Sequence, residues 1–70
     1  MDSSQAKTYA RLFRQAGILI GKGSISRALG VLKAGQQQAE RAGHRVMAGR
    51  FRAEIQRLSQ PLTSSRRRPQ

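Results

Sequence analysis

Residues that could do acid–base or nucleophilic chemistry are few in this chain of 70 residues. Ser24 and Ser26 carry hydroxyl groups, and His44 is the single histidine, so a serine nucleophile would depend on His44 as its base. Such a base must itself be oriented by a third group, and no carboxylate stands where the sequence predicts that contact. We therefore expect no enzymatic activity, and we interpret His44 as a residue at the start of a helix that follows Gly43.

Metal-ligating side chains are equally sparse. The chain has no cysteine, which excludes disulfides and thiolate sites. Its acidic residues, Asp2, Glu40 and Glu54, are scattered, so the sequence predicts neither a metal centre nor a cofactor. We interpret Glu40 and Glu54 as ion-pair partners on helix surfaces, since Glu54 lies four residues after Arg50.

Residues 17–29 read GILIGKGSISRAL, and the Gly-Lys-Gly-Ser part has the composition of a phosphate-binding loop. The Walker pattern requires a preceding strand and four residues between its first glycine and Gly-Lys-Ser/Thr. Here three residues separate Gly17 from Gly21, Lys22 is followed by Gly23, and no apolar strand precedes the segment. The spacing therefore argues against a nucleotide-binding loop.

Charge is the dominant feature of the composition, with 14 Lys and Arg against 3 Asp and Glu and a formal net charge of +11. Such a chain is attracted to polyanions and to acidic protein surfaces. The aromatic side chains are Tyr9, Phe13 and Phe51, too few for the stacking platforms of single-strand binders. No apolar run approaches the roughly 20 residues that span a bilayer, and no signal peptide is evident, so we expect a cytoplasmic protein with no membrane partner.

The elements that must position these residues follow from hydrophobic periodicity. Apolar residues at three- and four-residue steps predict an all-α fold with helices at about residues 4–20, 25–42 and 44–60. We expect one domain over residues 1–60, an antiparallel helical hairpin plus a third helix. Residues 61–70 are rich in Pro, Ser and Arg, which predicts a disordered basic tail.

The helix ends and the apolar face of the first helix can also be predicted. The Gly21–Gly23 segment and Gly43 are typical of helix C-termini, and the hydroxyl of Ser24 or Ser26 could cap the second helix. The apolar face of the first helix is expected to consist of Ala6, Tyr9, Ala10, Phe13, Ala16 and Ile20.

One interpretation of residues 24–29, SISRAL, is the start of a DNA-recognition helix. Ser and Arg at the N-terminal end of such helices contact phosphates and bases. Against it, the first helix is long for a helix-turn-helix motif, and Gly30 and Gly35 lie inside the proposed recognition helix, where each costs about 1 kcal/mol relative to alanine. In this alternative, the chain regulates transcription and contacts nucleic acid through Lys22, Ser24, Ser26, Arg27, Lys33, Arg66, Arg67 and Arg68.

A third interpretation rests on small and large apolar residues spaced as in two packed helices. The spacing is carried by Leu12, Ala16, Leu19, Gly23, Ala28 and Leu32. At these positions the sequence resembles a tetratricopeptide repeat, in which small residues let two helices approach and large ones fill the groove. The match covers about residues 9–43, at most one and a half repeats, and Gly35 stands where the family has Ala.

The resemblance implies a protein-binding module whose first helix lines a concave surface. Because the chain is too short for the roughly three repeats of a stable array, we expect it to form a homo-oligomer or to be completed by a partner. Basic side chains would attract an acidic partner, and a small adaptor or inhibitor, such as a phage-encoded host modulator or a secretion chaperone, would suit this composition. The expected partner-binding residues are Ala10, Phe13, Gly17, Ile20 and Gly21 on the concave surface, with Arg11, Arg14, Arg50 and Arg57 around it.

Overall fold

The computed structural model describes residues 3–59, which form three α-helices. They are α1 (Ser3–Gly21), α2 (Ile25–Ala42) and α3 (Arg45–Ser59). The all-α prediction is confirmed, and each helix boundary lies within one residue of its predicted position. None of these helices is long and apolar enough to cross a membrane. The predicted tail of residues 61–70 lies outside the described residues.

The turn between α1 and α2 is a glycine-terminated helix end. Gly23 has a φ of +81°, a left-handed conformation that glycine adopts without a Cβ clash. The Ser24 amide donates to the Leu19 carbonyl at 2.8 Å, and the Gly23 amide donates to the Ile20 carbonyl at 3.0 Å. This pair of hydrogen bonds is the Schellman motif, which satisfies the last carbonyls of α1.

The turn between α2 and α3 repeats this geometry. Gly43 has a φ of +77°, its amide donates to the Glu40 carbonyl at 3.1 Å, and the His44 amide donates to the Ala39 carbonyl at 2.9 Å. The prediction that Gly43 ends α2 is thus confirmed. Because both connections have this motif, the chain reverses its direction at each of them within two or three residues.

The residue after each glycine begins the next helix through its backbone. The carbonyl of Ser24 accepts from the Ala28 amide, and the carbonyl of His44 accepts from the Ala48 amide, both at 3.0 Å. The predicted hydroxyl cap is not formed, because Ser24 occupies the N-cap position without a side-chain hydrogen bond. Ser26 lies within the first turn of α2 and is exposed.

Helix α2 is central, because it packs against both α1 and α3. The neighbouring helices run antiparallel. Tyr9, near the start of α1, is hydrogen-bonded to His44, just beyond the end of α2. Gly35, eight residues before Gly43, lies against Phe51, seven residues after His44. Helices α1 and α3 therefore point in the same direction on the two sides of α2.

The core is small and rich in alanine. Its buried side chains are Tyr9, Ala16, Ala28, Leu32, Ala39, Ala48 and Phe51. Ala16 and Ala28 are 2% and 0% exposed, as expected of small residues where α1 meets α2. The predicted face of α1 is partly wrong: Ala6 and Ala10 are exposed, whereas Leu12 and Leu19 pack against the core.

Gly35 is buried because the Phe51 ring occupies the space that a side chain would fill. A Cβ at Gly35 would lie 2.4 Å from Cε1 and 2.5 Å from Cζ of Phe51. The glycine inside α2, which lowers helix propensity, is therefore required by an aromatic ring from α3. The same contact brings α3 close to the middle of α2.

Candidate protein-binding cleft

An aromatic cluster joins α1 to α3 across the face of α2. The rings of Phe13 and Phe51 are stacked, with centroids 4.2 Å apart and planes inclined by 4°. Tyr9 meets Phe51 edge-on at 5.9 Å. Such pairs stabilise a packed core by about 0.5–1.5 kcal/mol beyond their buried area. The cluster fixes the position of α3 relative to α1, although most of the packing area of each helix is against α2.

A polar contact links this aromatic cluster to the turn before α3. The Tyr9 hydroxyl and His44 Nδ1 are hydrogen-bonded at 2.8 Å, and the two rings meet edge-on at 5.7 Å. Tyr9 is 1% exposed, so this hydrogen bond gives its buried hydroxyl a partner in place of water. His44 therefore positions Tyr9 and the α2–α3 turn, in addition to starting α3.

An open cleft lies between α1 and α3 above the aromatic cluster. It consists of two adjoining cavities that share Phe13 and Arg50. The larger has a volume of about 480 Å³ and the smaller of about 330 Å³. We call this surface the α1–α3 cleft; it is lined by Ala6, Tyr9, Ala10, Phe13, Met47, Arg50, Ala53 and Glu54.

Two charged side chains, Arg50 and Glu54, line the α1–α3 cleft. Within residues 3–59 the one ion pair joins Arg57 to Glu54, one turn apart on α3. The expectation that Glu54 is an ion-pair partner on a helix surface is confirmed, but its partner is Arg57 and not Arg50. Arg50 lines both cavities without an acidic partner among the described residues. The cleft thus combines apolar side chains with a guanidinium that forms no ion pair, next to a Glu54 carboxylate that Arg57 already engages. A guanidinium in this state attracts a further carboxylate.

The structure brings some of the predicted partner-binding residues together and separates others. Ala10, Phe13 and Arg50 line the α1–α3 cleft, and Arg57 is held next to it by Glu54. Ile20 is half-buried and packs against the core. Four more predicted residues are exposed on α1 without lining either cavity: Arg11, Arg14, Gly17 and Gly21.

Sequence reasoning predicted two basic residues of α3, Arg50 and Arg57, for this surface but missed the other α3 residues that line it. Met47 and Ala53 line the cleft, and neither was among the predicted binding residues. Periodicity identifies which residues of a helix are apolar, but not which of them meet α1 across the aromatic cluster. The sequence feature that could have indicated the α3 side of the cleft is the spacing of Met47, Arg50 and Glu54 along one side of this helix.

The residues of the nucleic-acid alternative lie elsewhere. Lys22 is in the α1–α2 turn, and Arg27 and Lys33 are exposed on α2. Ser24 is half-buried at the N-cap of α2, and Ser26, two residues later in the first turn, is exposed. Arg66, Arg67 and Arg68 lie outside the described residues.

The described residues contain no group of three or more His, Asp or Glu side chains that could hold a metal ion. No protein-family model, curated protein or solved structure matches the chain. Function must therefore be inferred from the geometry of the α1–α3 cleft and from the distribution of charge.

Proposed function

We propose that this chain is a small non-enzymatic adaptor or inhibitor that binds an acidic segment of another protein in the α1–α3 cleft. The observation that carries the proposal is the pair of cavities sharing Phe13 and Arg50. An apolar surface beside an unpaired arginine is the composition of protein-binding hot spots, where aromatic residues and Arg are enriched.

The shape of the cleft supports a helical or extended ligand. Helices α1 and α3 point the same way, and the two adjoining cavities between them share Phe13 and Arg50. An amphipathic segment placed there would insert apolar side chains near Phe13 and Met47 and direct a carboxylate towards Arg50. The overall positive charge, +11, would accelerate association with an acidic partner.

The resemblance to a tetratricopeptide repeat also supports the proposal. That family binds partners on the surface lined by the first helix of each repeat, and Ala10 and Phe13 lie on α1, the first helix of this hairpin, where they line the larger cavity. Two successive antiparallel helix pairs with buried alanines at Ala16 and Ala28 are the packing that the resemblance implies.

A helix-turn-helix protein is less well supported. Helix α2, the proposed recognition helix, is the central helix, and α1 and α3 both pack against it. The stripe that these contacts bury consists of Ala28, Leu32, Gly35 and Ala39.

The proposal is tested by placing a bulky side chain in the cleft. Ala10 is exposed and lines the larger cavity, so Ala10→Arg should fill the binding surface without disturbing the core. Gln15→Arg introduces the same residue at an exposed position of α1 that lines neither cavity. Each tagged variant is used to capture proteins from a nuclease-treated lysate of the source organism, and the bound proteins are identified by mass spectrometry.

We expect the wild type and Gln15→Arg to retain the same partner and Ala10→Arg to lose it, with unchanged helical circular dichroism for all three. Retention of that partner by Ala10→Arg would contradict the proposed site. Loss of all bound protein after nuclease treatment would favour nucleic acid as the partner.

A further inference from the structure

A third cavity lies on another side of α3, between this helix and the C-terminal end of α2. We call it the α2–α3 cavity; it is lined by Glu40, Gly43, Arg45, Ala48 and Arg52 and has a volume of about 500 Å³. It shares no lining residue with the α1–α3 cleft. Its function is therefore separable from the protein-binding function proposed above.

Two arginines dominate the α2–α3 cavity. Arg45 and Arg52 are seven residues apart on the same side of α3, which places their Cα atoms about 10 Å apart along the helix axis. Both are exposed, and neither forms an ion pair within residues 3–59. Gly43 and Ala48, which line the cavity with the two arginines, carry no bulky side chain.

Glu40 is the opposing charge in this cavity. One of its carboxylate oxygens accepts a hydrogen bond from Gln36 Nε2 at 3.1 Å, within α2. It is therefore oriented by its own helix and forms no ion pair with Arg45 or Arg52. A ligand with negative charge would meet two unpaired arginines and one carboxylate that is already engaged.

We infer that the α2–α3 cavity binds phosphate groups, with Arg45 and Arg52 each donating to phosphate oxygens. The planar guanidinium group matches a phosphate in bidentate geometry, which a lysine would not. Spacing of about 10 Å allows the two arginines to contact different phosphates of one ligand. The phosphates could belong to a nucleic-acid backbone or to a small phosphorylated ligand, and the experiment distinguishes these sources.

The first measurement uses fluorescence anisotropy with a labelled single-stranded oligonucleotide of about 12 nucleotides. We expect Arg45→Ala/Arg52→Ala to lower its affinity about 10-fold or more, because two charge-assisted contacts are lost. The dependence of log K on log salt should also become shallower by about 1.4, the value for two phosphates of a single strand. Arg27→Ala/Lys33→Ala removes the same net charge from the outer side of α2 and is the matched control.

The second measurement uses pyrophosphate as the small ligand, with binding followed by NMR chemical shifts in the full chain. Shifts at Arg45 and Arg52 that vanish in Arg45→Ala/Arg52→Ala, together with an unchanged affinity for the oligonucleotide, would assign the cavity to a small phosphorylated ligand. Equal losses of oligonucleotide affinity in the two double variants, with no pyrophosphate shifts at Arg45 and Arg52, would overturn the proposal. So would a loss confined to Arg27→Ala/Lys33→Ala.

Substitution of Glu40 tests the same site through an expected increase in ligand affinity instead of a loss. Glu40→Gln removes the opposing charge and should raise the affinity for the ligand that binds by about 3-fold. Glu54→Gln changes the net charge equally but lies in the α1–α3 cleft, so its effect should be smaller. The same increase in both variants would mean that only the overall charge matters, which contradicts a site at the α2–α3 cavity.

Discussion

At the scale of single residues, the contact between Gly35 and Phe51 does most to determine how the helices fit together. The phenyl ring is 0% exposed and is stacked on Phe13, so it has little freedom to move away from a new side chain. Glycine at position 35 therefore allows α3 to approach α2 and, through the stacked rings, fixes the floor of the α1–α3 cleft.

This contact predicts opposite effects for two glycine substitutions in the same helix. Gly35→Ala should destabilise the fold by about 1–3 kcal/mol, because its Cβ would overlap the Phe51 ring. Gly30→Ala should stabilise it by up to about 1 kcal/mol, since the position is exposed and a Cβ there meets nothing within 4 Å. Urea unfolding followed by circular dichroism measures both changes. Stabilisation by Gly35→Ala would contradict the described packing.

The contacts between distant residues could not be predicted from the sequence. Tyr9 and His44 are 35 residues apart, and nothing in their local patterns indicates a hydrogen bond. Phe13 and Phe51 were recognisable as apolar positions, but their stacking depends on the order in which three helices pack. The sequence therefore predicted Phe13 and Arg50 as binding residues, but it did not show that both line one cleft.

At the scale of elements, the two turns follow directly from sequence. Periodicity and the glycines placed every helix boundary within one residue, because a left-handed glycine that ends a helix is a local property. Capping of a helix N-terminus by a side chain was less predictable. Ser24 has the residue type of a capping residue, yet only its backbone takes part.

The repeated turn geometry predicts that Gly23 and Gly43 are equivalent in energetic terms. Replacing either with alanine should cost about 1–2 kcal/mol, because an L-residue is strained at positive φ. Gly21→Ala is the matched control: Gly21 lies at the end of α1 without a positive φ, and a Cβ there meets nothing within 4 Å. Thermal unfolding followed by circular dichroism compares the three variants. A loss of stability in Gly21→Ala as large as in Gly23→Ala would contradict the turn described here.

At the scale of the whole molecule, a thin core is combined with a large positive charge. Four of the seven core side chains are alanines, so the buried apolar area per residue is small. The 14 Lys and Arg are opposed by only 3 Asp and Glu, which gives the formal net charge of +11, and Arg50 forms no ion pair within residues 3–59. Binding an acidic segment would both cover apolar surface and reduce this repulsion, which supports completion of the fold by a partner.

An NMR titration of the full chain with an acidic peptide tests most directly whether the α1–α3 cleft is a protein-binding site. The peptide has about 15 residues, with Leu at helical spacing and Glu at the other positions, and a control peptide has Lys in place of Glu. At about 0.15 M salt, where exposed charges are screened beyond about 8 Å, we predict that the Glu peptide shifts the resonances of Ala10, Phe13, Met47 and Arg50. The Lys peptide should shift none of them. The absence of binding, or shifts spread equally over Arg11, Arg27 and Lys33, would contradict the assignment of the α1–α3 cleft as the protein-binding site.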